Sequence, residues 1–196
     1  MGLLATIGIA KNDTASTTSF EQLLGTDTFL TVQYATPQEY VQKYWTALKA
    51  KNTPTLDGNV FEFIIYTLLY RENIKPFYTQ AQVAFVPNVN FDTILYNKAM
   101  PVSLSLKTSL RERYKQADLE AIALKYIYRK SKCYLLTMDT DEANRVKRKI
   151  MDGDVIGLDE VIDCNTEDIN RLIDILRGIG FITSVQVEAV KGNLVQ

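Results

Sequence analysis

Asp92 and Lys107 are the two side chains of this chain whose types and spacing point most directly to chemistry. They lie fifteen positions apart on either side of Asn97 to Pro101, a stretch suited to a turn. A hairpin turning there runs strands 90–96 and 102–107 antiparallel about a centre near residue 99 or 100, which sets Asp92 directly across from Lys107. Alternation along the second strand sends Val102, Leu104 and Leu106 to one face, and Ser103, Ser105 and Lys107 to the other, together with Asp92. A carboxylate and an amine meeting at the end of a hairpin are the core of a metal-dependent phosphodiesterase. Asp92 also has a plainer reading, as a strand-end acceptor of turn hydrogen bonds, and Lys107 as a solvated strand end.

Immediately after the lysine come Arg111, Glu112 and Arg113. Arginine bonds two-fold to O6 and N7 of guanine in the major groove, and glutamate accepts from the N4 amino group of cytosine, so alternating Arg-Glu-Arg can read consecutive G·C pairs. Glu112 has a second reading, because Ser109-Leu110-Arg111-Glu112 also spells a capping box that would start a helix at Ser109. Lys115 and Lys130, with Lys125 and Arg129, suit phosphate contacts or simply solvated positions.

The elements that must position these groups belong to a chain of 196 residues, 46% hydrophobic, which can bury a full core. It holds no histidine. Ser-His-Asp and Cys-His nucleophile systems and most catalytic zinc sites are thereby excluded, and carboxylates, Lys and Tyr are left for any chemistry. The metal expected with such groups is Mg²⁺, with Mn²⁺ as a substitute. Cys133 and Cys164 form no CxxC pair and fall in apolar runs, as reduced core residues of a cytoplasmic protein do. No apolar run approaches membrane-spanning length, and no basic residue precedes the apolar stretch at the start, as a signal peptide requires. The net charge of −1 conceals a polarity: residues 97–150 hold 13 Lys and Arg against 6 Asp and Glu, whereas residues 151–196 hold 3 against 9. The basic middle suits a polyanionic partner, or helices with solvated basic faces.

Residues 12–18 and 50–58 read as loops. Between them Tyr40, Val41, Tyr44, Trp45 and Leu48 recur at helical spacing behind Thr36-Pro37, a cap with proline in the first turn. Further helices are expected at about 58–72, 109–129, 141–150 and 166–178, and strands at 80–86, 90–96, 102–107, 133–138 and 158–163. In the helix from 109, Leu110, Tyr114, Ala117, Ala121 and Leu124 form a stripe to be buried, while Arg113, Gln116 and Glu120 share a separate face. This order predicts an α/β fold with a central mixed β-sheet flanked by helices. The chain is expected to be one domain, with residues 1–56 as a helical and loop extension, 57–150 as the core and 151–196 as an acidic C-terminal portion.

Over roughly residues 57–150 the chain resembles the PD-(D/E)XK nuclease superfamily, in which an aspartate and an acid two positions before the lysine hold the metal. Here Ser105 stands where that acid is usual, and Phe91 where a proline precedes the aspartate. The CCGG family of type II restriction endonucleases carries the acid on the following helix instead. Its pattern is similar to Lys107, Thr108-Ser109, Arg111-Glu112-Arg113 and Glu120. The resemblance implies a restriction-endonuclease-like fold, Glu120 as the relocated metal ligand beside Asp92, and Glu62 as an outer acid of the site. Glu120 by itself also reads as an exposed helix residue, and Glu62 as a first-turn acid favourable to the helix dipole. The resemblance further implies Mg²⁺-dependent cleavage of double-stranded DNA at a short site containing CC and GG, a homodimer or larger homo-oligomer on a palindrome, and a cognate DNA methyltransferase. Two other functions fit the same residues: a repair or recombination nuclease that selects DNA by shape, and a non-catalytic DNA-binding protein built on a decayed nuclease.

Overall fold

The strand-forming runs lie in the middle of the chain, with helices before, between and after them, and a computed structural model shows how they assemble. It describes residues 1–52, 54–86, 88–184 and 190–196, with the side chains of residues 190 and 191 left aside. Short helices α1 (Leu3–Thr6) and α2 (Ala15–Glu21) lead to α3 (Pro37–Lys51) and, after a 3₁₀ turn, α4 (Asp57–Arg71). Strands β1 (Phe77–Val83), β2 (Phe91–Leu95) and β3 (Val102–Leu106) follow as a meander. The chain continues through α5 (Arg113–Ile127), β4 (Lys132–Thr137), α6 (Thr140–Met151), β5 (Glu160–Asp163), α7 (Asp168–Arg177) and β6 (Val190–Val195). The six strands form a mixed sheet in the order β5-β4-β3-β2-β1-β6, with β3, β4 and β5 parallel and the remaining pairs antiparallel. This is the flanked mixed sheet that the order of elements predicts.

The sheet is buried on both faces, as parallel strands joined by helical crossovers must be. Helices α1 to α4 and α7 pack on one face against Val102, Leu104, Leu106 and Leu136. Helices α5 and α6 cover the other, where Leu110, Tyr114, Ala117, Ala121 and Leu124 meet Ile94, Cys133, Leu135 and Val161. The stripe read from α5 spacing is therefore its buried face, and both cysteines are buried and free.

Several boundaries differ from expectation, each for a local reason. The loop expected at 12–18 stops at Thr14, and residues 15–18 are helical. Thr14 and Thr17 make a reciprocal capping box that starts α2, and Phe20 of α2 stacks on Tyr44 at 4.9 Å. The first strand is 77–83 rather than 80–86, because Phe85 and Asn88 adopt φ of 66° and 62° and turn the chain away. In the C-terminal portion β6 pairs with β1, a strand that the acidic composition of residues 151–196 hides. The hairpin register also shifts. Asn97 Oδ1 accepts the N–H groups of Ala99 (2.9 Å) and Met100 (3.1 Å), and this turn pairs Leu95 with Val102 and Thr93 with Leu104. Continuing that ladder places Ser105, not Lys107, across from Asp92. The displacement is an even number of residues, so every side chain keeps its face.

Candidate active site

Because β3, β4 and β5 are parallel, their carboxyl ends share one margin of the sheet, and α5, α6 and α7 all begin there. Asp92 and Lys107 lie at that margin. Lys107 Nζ stands 2.6 Å from Asp92 Oδ2, diagonal to it across the hairpin, and the same oxygen accepts the Leu106 N–H at 2.7 Å. The two side chains are only 7% and 12% exposed. With both bonds on Oδ2, Asp92 Oδ1 accepts no hydrogen bond among the described residues. Beside it on the ladder, the buried Ser105 hydroxyl also has no partner. Buried polar atoms are normally satisfied; Thr93 Oγ1 is the other orphan among the described residues, and of the two Ser105 is the one across from Asp92.

Glu120 and Glu62 approach this pair from different layers. Glu120, on α5, accepts from Gln116 Nε2 at 2.8 Å through Oε1, and its Oε2 accepts no hydrogen bond among the described residues. Burial raises its carboxyl pKa, and the charges of Lys107 and Asp92 both reach it, the first lowering and the second raising. Glu62, on α4, is pushed up to about 7 by burial and then by the Asp92 charge, against the opposing pull of Tyr66, Lys107 and Gln80. Its Oε2 accepts from Gln80 Nε2 at 2.9 Å. The Tyr66 hydroxyl donates to the Asp92 carbonyl oxygen at 2.8 Å and toward Glu62 Oε2 at 3.2 Å. Gln80 reaches Glu62 from a strand irregularity, with φ of 48° and the β1–β6 register shifting between Thr79 and Gln82. Glu62 and Glu120 thus each fall within electrostatic reach of the Asp92–Lys107 pair. Among the described residues no three His, Cys, Asp or Glu side chains converge as a ready-made metal cage. The donors present are oxygens, which suit a hard divalent cation that keeps much of its water shell.

The recognition residues take a different form from the one expected. Helix α5 starts at Arg113, not Ser109, and Glu112 makes no capping bond. Arg111 has φ of 24°, outside the helical range, and ends any continuation toward Ser109. Glu112 instead pairs with Lys115, with its side chain 78% exposed. Arg111, Glu112 and Arg113 therefore stand on an exposed turn next to Lys107, and neither arginine has an ion pair among the described residues. Lys130 is elsewhere. It precedes β4, whose Lys132 N–H bonds to Pro101 O, so it lies at the margin opposite the Asp92–Lys107 pair. Sequence reasoning placed Ser105 on this face, where an acid is usual, but missed Tyr66, Gln80 and Glu142 of α6, since a buried tyrosine, an exposed glutamine and a first-turn acid carry no distinctive spacing.

No known protein family and no curated protein matches the chain. Among solved structures, the complex of restriction endonuclease PspGI with substrate DNA is similar over 74% of this chain and 70% of its own, at 17% identity and a TM-score of 0.46. That overlap is too loose to transfer any residue's role. No helix among the described residues is long and apolar enough to cross a membrane.

Proposed function

We propose that this protein is a Mg²⁺-dependent, site-specific endonuclease of the type II restriction kind, hydrolysing double-stranded DNA at a short site containing CC and GG. The observation that carries this reading is the buried Asp92–Lys107 pair with Asp92 Oδ1 and the Ser105 hydroxyl both open beside it. Asp92 and Glu120 would hold the cation, which would supply positive charge on the scissile phosphate and acidify a bound water. Mn²⁺ suits the same oxygens.

Each residue of the chain then has a task. Lys107, its ammonium held by Asp92, orients the attacking water or meets negative charge as it develops on the phosphate oxygens. Glu62 stands outside this pair, where burial and Asp92 both favour its proton, so it keeps that proton to a higher pH than an ordinary glutamate does. Arg111 and Arg113 address guanines and Glu112 a cytosine, once the weak exposed pairing with Lys115 is exchanged for a base. Lys115 then faces the backbone phosphates, a role for which Lys130 is at the wrong margin. A palindromic site calls for two copies of the chain related by a two-fold axis, and restriction in a cytoplasm calls for a cognate DNA methyltransferase.

The test is digestion of DNA of known sequence in Mg²⁺, followed by mapping of the ends. Discrete fragments sharing a CC/GG site are expected, with Glu120→Ala folded but inactive. A smear, or cutting confined to branched DNA, indicates a shape-selective repair nuclease. Tight binding without cleavage in either metal indicates a non-catalytic DNA-binding protein.

A further inference from the structure

Glu142 is the third residue of α6, and its own N–H is bonded at 2.9 Å to Asp139, the cap of that helix. Its carboxylate does not serve α6. It reaches to the segment ahead of α5, 31 to 33 residues back in the chain, and accepts three donors there. Oε2 takes the Ser109 hydroxyl at 3.3 Å and the Leu110 N–H, and Oε1 takes the Arg111 N–H at 3.0 Å. Arg145 Nη2 stands 3.7 Å from Oε1. The side chain is 18% exposed, whereas Arg111, Glu112 and Arg113 are all exposed.

Leu110 is anchored by its buried side chain and by its carbonyl oxygen, which accepts the Arg113 and Tyr114 N–H groups; the N–H groups of Leu110 and Arg111 are held by Glu142. A helix beginning at Ser109 would satisfy these N–H groups through its own cap, yet the chain keeps Arg111 at φ of 24°, a conformation that costs an L-residue free energy and persists only where its surroundings enforce it. The carboxylate of Glu142 is the side chain that bonds the Arg111 N–H in this conformation. By binding the main-chain N–H groups of Leu110 and Arg111 and the Ser109 hydroxyl, it fixes where the side chains of Arg111, Glu112 and Arg113 point, without an ion pair to those side chains among the described residues.

We infer that Glu142 is a specificity-positioning residue, the mould on which the Arg111-Glu112-Arg113 turn is shaped for reading bases. The inference rests on the base-reading role proposed above for that turn. Two-fold hydrogen bonding to guanine demands a fixed guanidinium plane, so loosening the turn removes discrimination between sites more than it removes affinity for DNA in general, which phosphate contacts supply.

The experiment compares Glu142→Ala and Glu142→Gln with Arg111→Ala, Arg113→Ala and the unaltered protein. Each is tested against a short duplex carrying the mapped cleavage site and against one with a single G·C pair changed to A·T. Glu142→Ala is expected to lower the ratio of affinities about ten- to hundred-fold, in line with the loss of bidentate contacts, with binding to the altered duplex kept. Glu142→Gln, which keeps one acceptor oxygen, is expected to lose less. Amide hydrogen exchange of Leu110 and Arg111, read in the Gln variant in case the Ala variant does not fold, is expected to accelerate while that of the α5 core stays slow. If exchange accelerates and the ratio is unchanged in the Glu142 variants but falls in the arginine variants, Glu142 is a structural staple only and the inference is overturned. If the arginine variants also leave the ratio unchanged, the base-reading role itself is wrong.

Discussion

Two half-buried aspartates of the same sheet, one at each margin, are treated in opposite ways. Asp159, just ahead of β5, is met by Lys125 at 2.8 Å, Lys132 at 2.9 Å and the Cys133 N–H at 2.8 Å, spread over both of its oxygens. Burial opposes its ionisation, but these three partners prevail and hold its carboxyl below the usual carboxylate range. Asp92 has one ammonium and one N–H, both on the same oxygen, an orphaned hydroxyl beside it, and neighbouring acids whose pKa values burial raises. The first cluster is fully partnered and the second is left short, and that difference supports the proposed site. Both clusters draw lysines from the same basic stretch, so charge counting along the sequence cannot separate them.

The contrast can be broken at either margin. The largest effect is expected from Lys107→Met, which keeps the side chain's bulk and removes its charge: DNA cleavage in Mg²⁺ should fall about 10²- to 10³-fold, as when one preorganised stabilising group is lost. Cleavage at the original rate would return Lys107 to a structural role. Asp159→Asn should do the reverse, lowering the urea-unfolding free energy by about 1–3 kcal/mol through weakened charged hydrogen bonds while leaving cleavage intact. If activity falls instead with stability unchanged, the two margins are not divided as described.

A smaller effect sharpens the electrostatic side. The pKa of Glu62 in the folded protein, about 7, lies above that of an unfolded glutamate, so the folded state binds its proton more tightly. The stability this contributes is present at low pH and is lost as the pH rises from about 4.5 through 7. Glu120 is shifted in the same direction. Asp159, Asp168 and Glu142 are shifted downward, so their contributions hold steady above pH 5. Unfolding measured in EDTA should therefore show the protein less stable at pH 8 than at pH 5. Glu62→Gln should recover about 1–2 kcal/mol of the difference at pH 8. A variant with an unaltered pH slope would remove Glu62 from the cluster.

What could be read from the sequence was what depends on period and composition. Alternation put Asp92 and Lys107 on one face, where the even register shift leaves them, and the spacing of Leu110, Tyr114, Ala117, Ala121 and Leu124 gave the buried side of α5. What could not be read was set by single hydrogen bonds from distant residues. Asn97 shifts the hairpin register through its side chain, and Glu142 replaces the local cap that Ser109 and Glu112 appear to spell. The position of Lys130 was illegible for a related reason, since a helix of known length places its far end only once the sheet order is fixed.

The sheet also ends in a particular way. β5 is its outermost strand on one side, four residues long, and Arg171 forks onto Glu160 at its start. So short a ribbon with an ion pair at its mouth is a poor template for a foreign strand. Addition of a strand from another copy along this side is thereby disfavoured, which guards against edge-to-edge polymerisation during folding at high concentration.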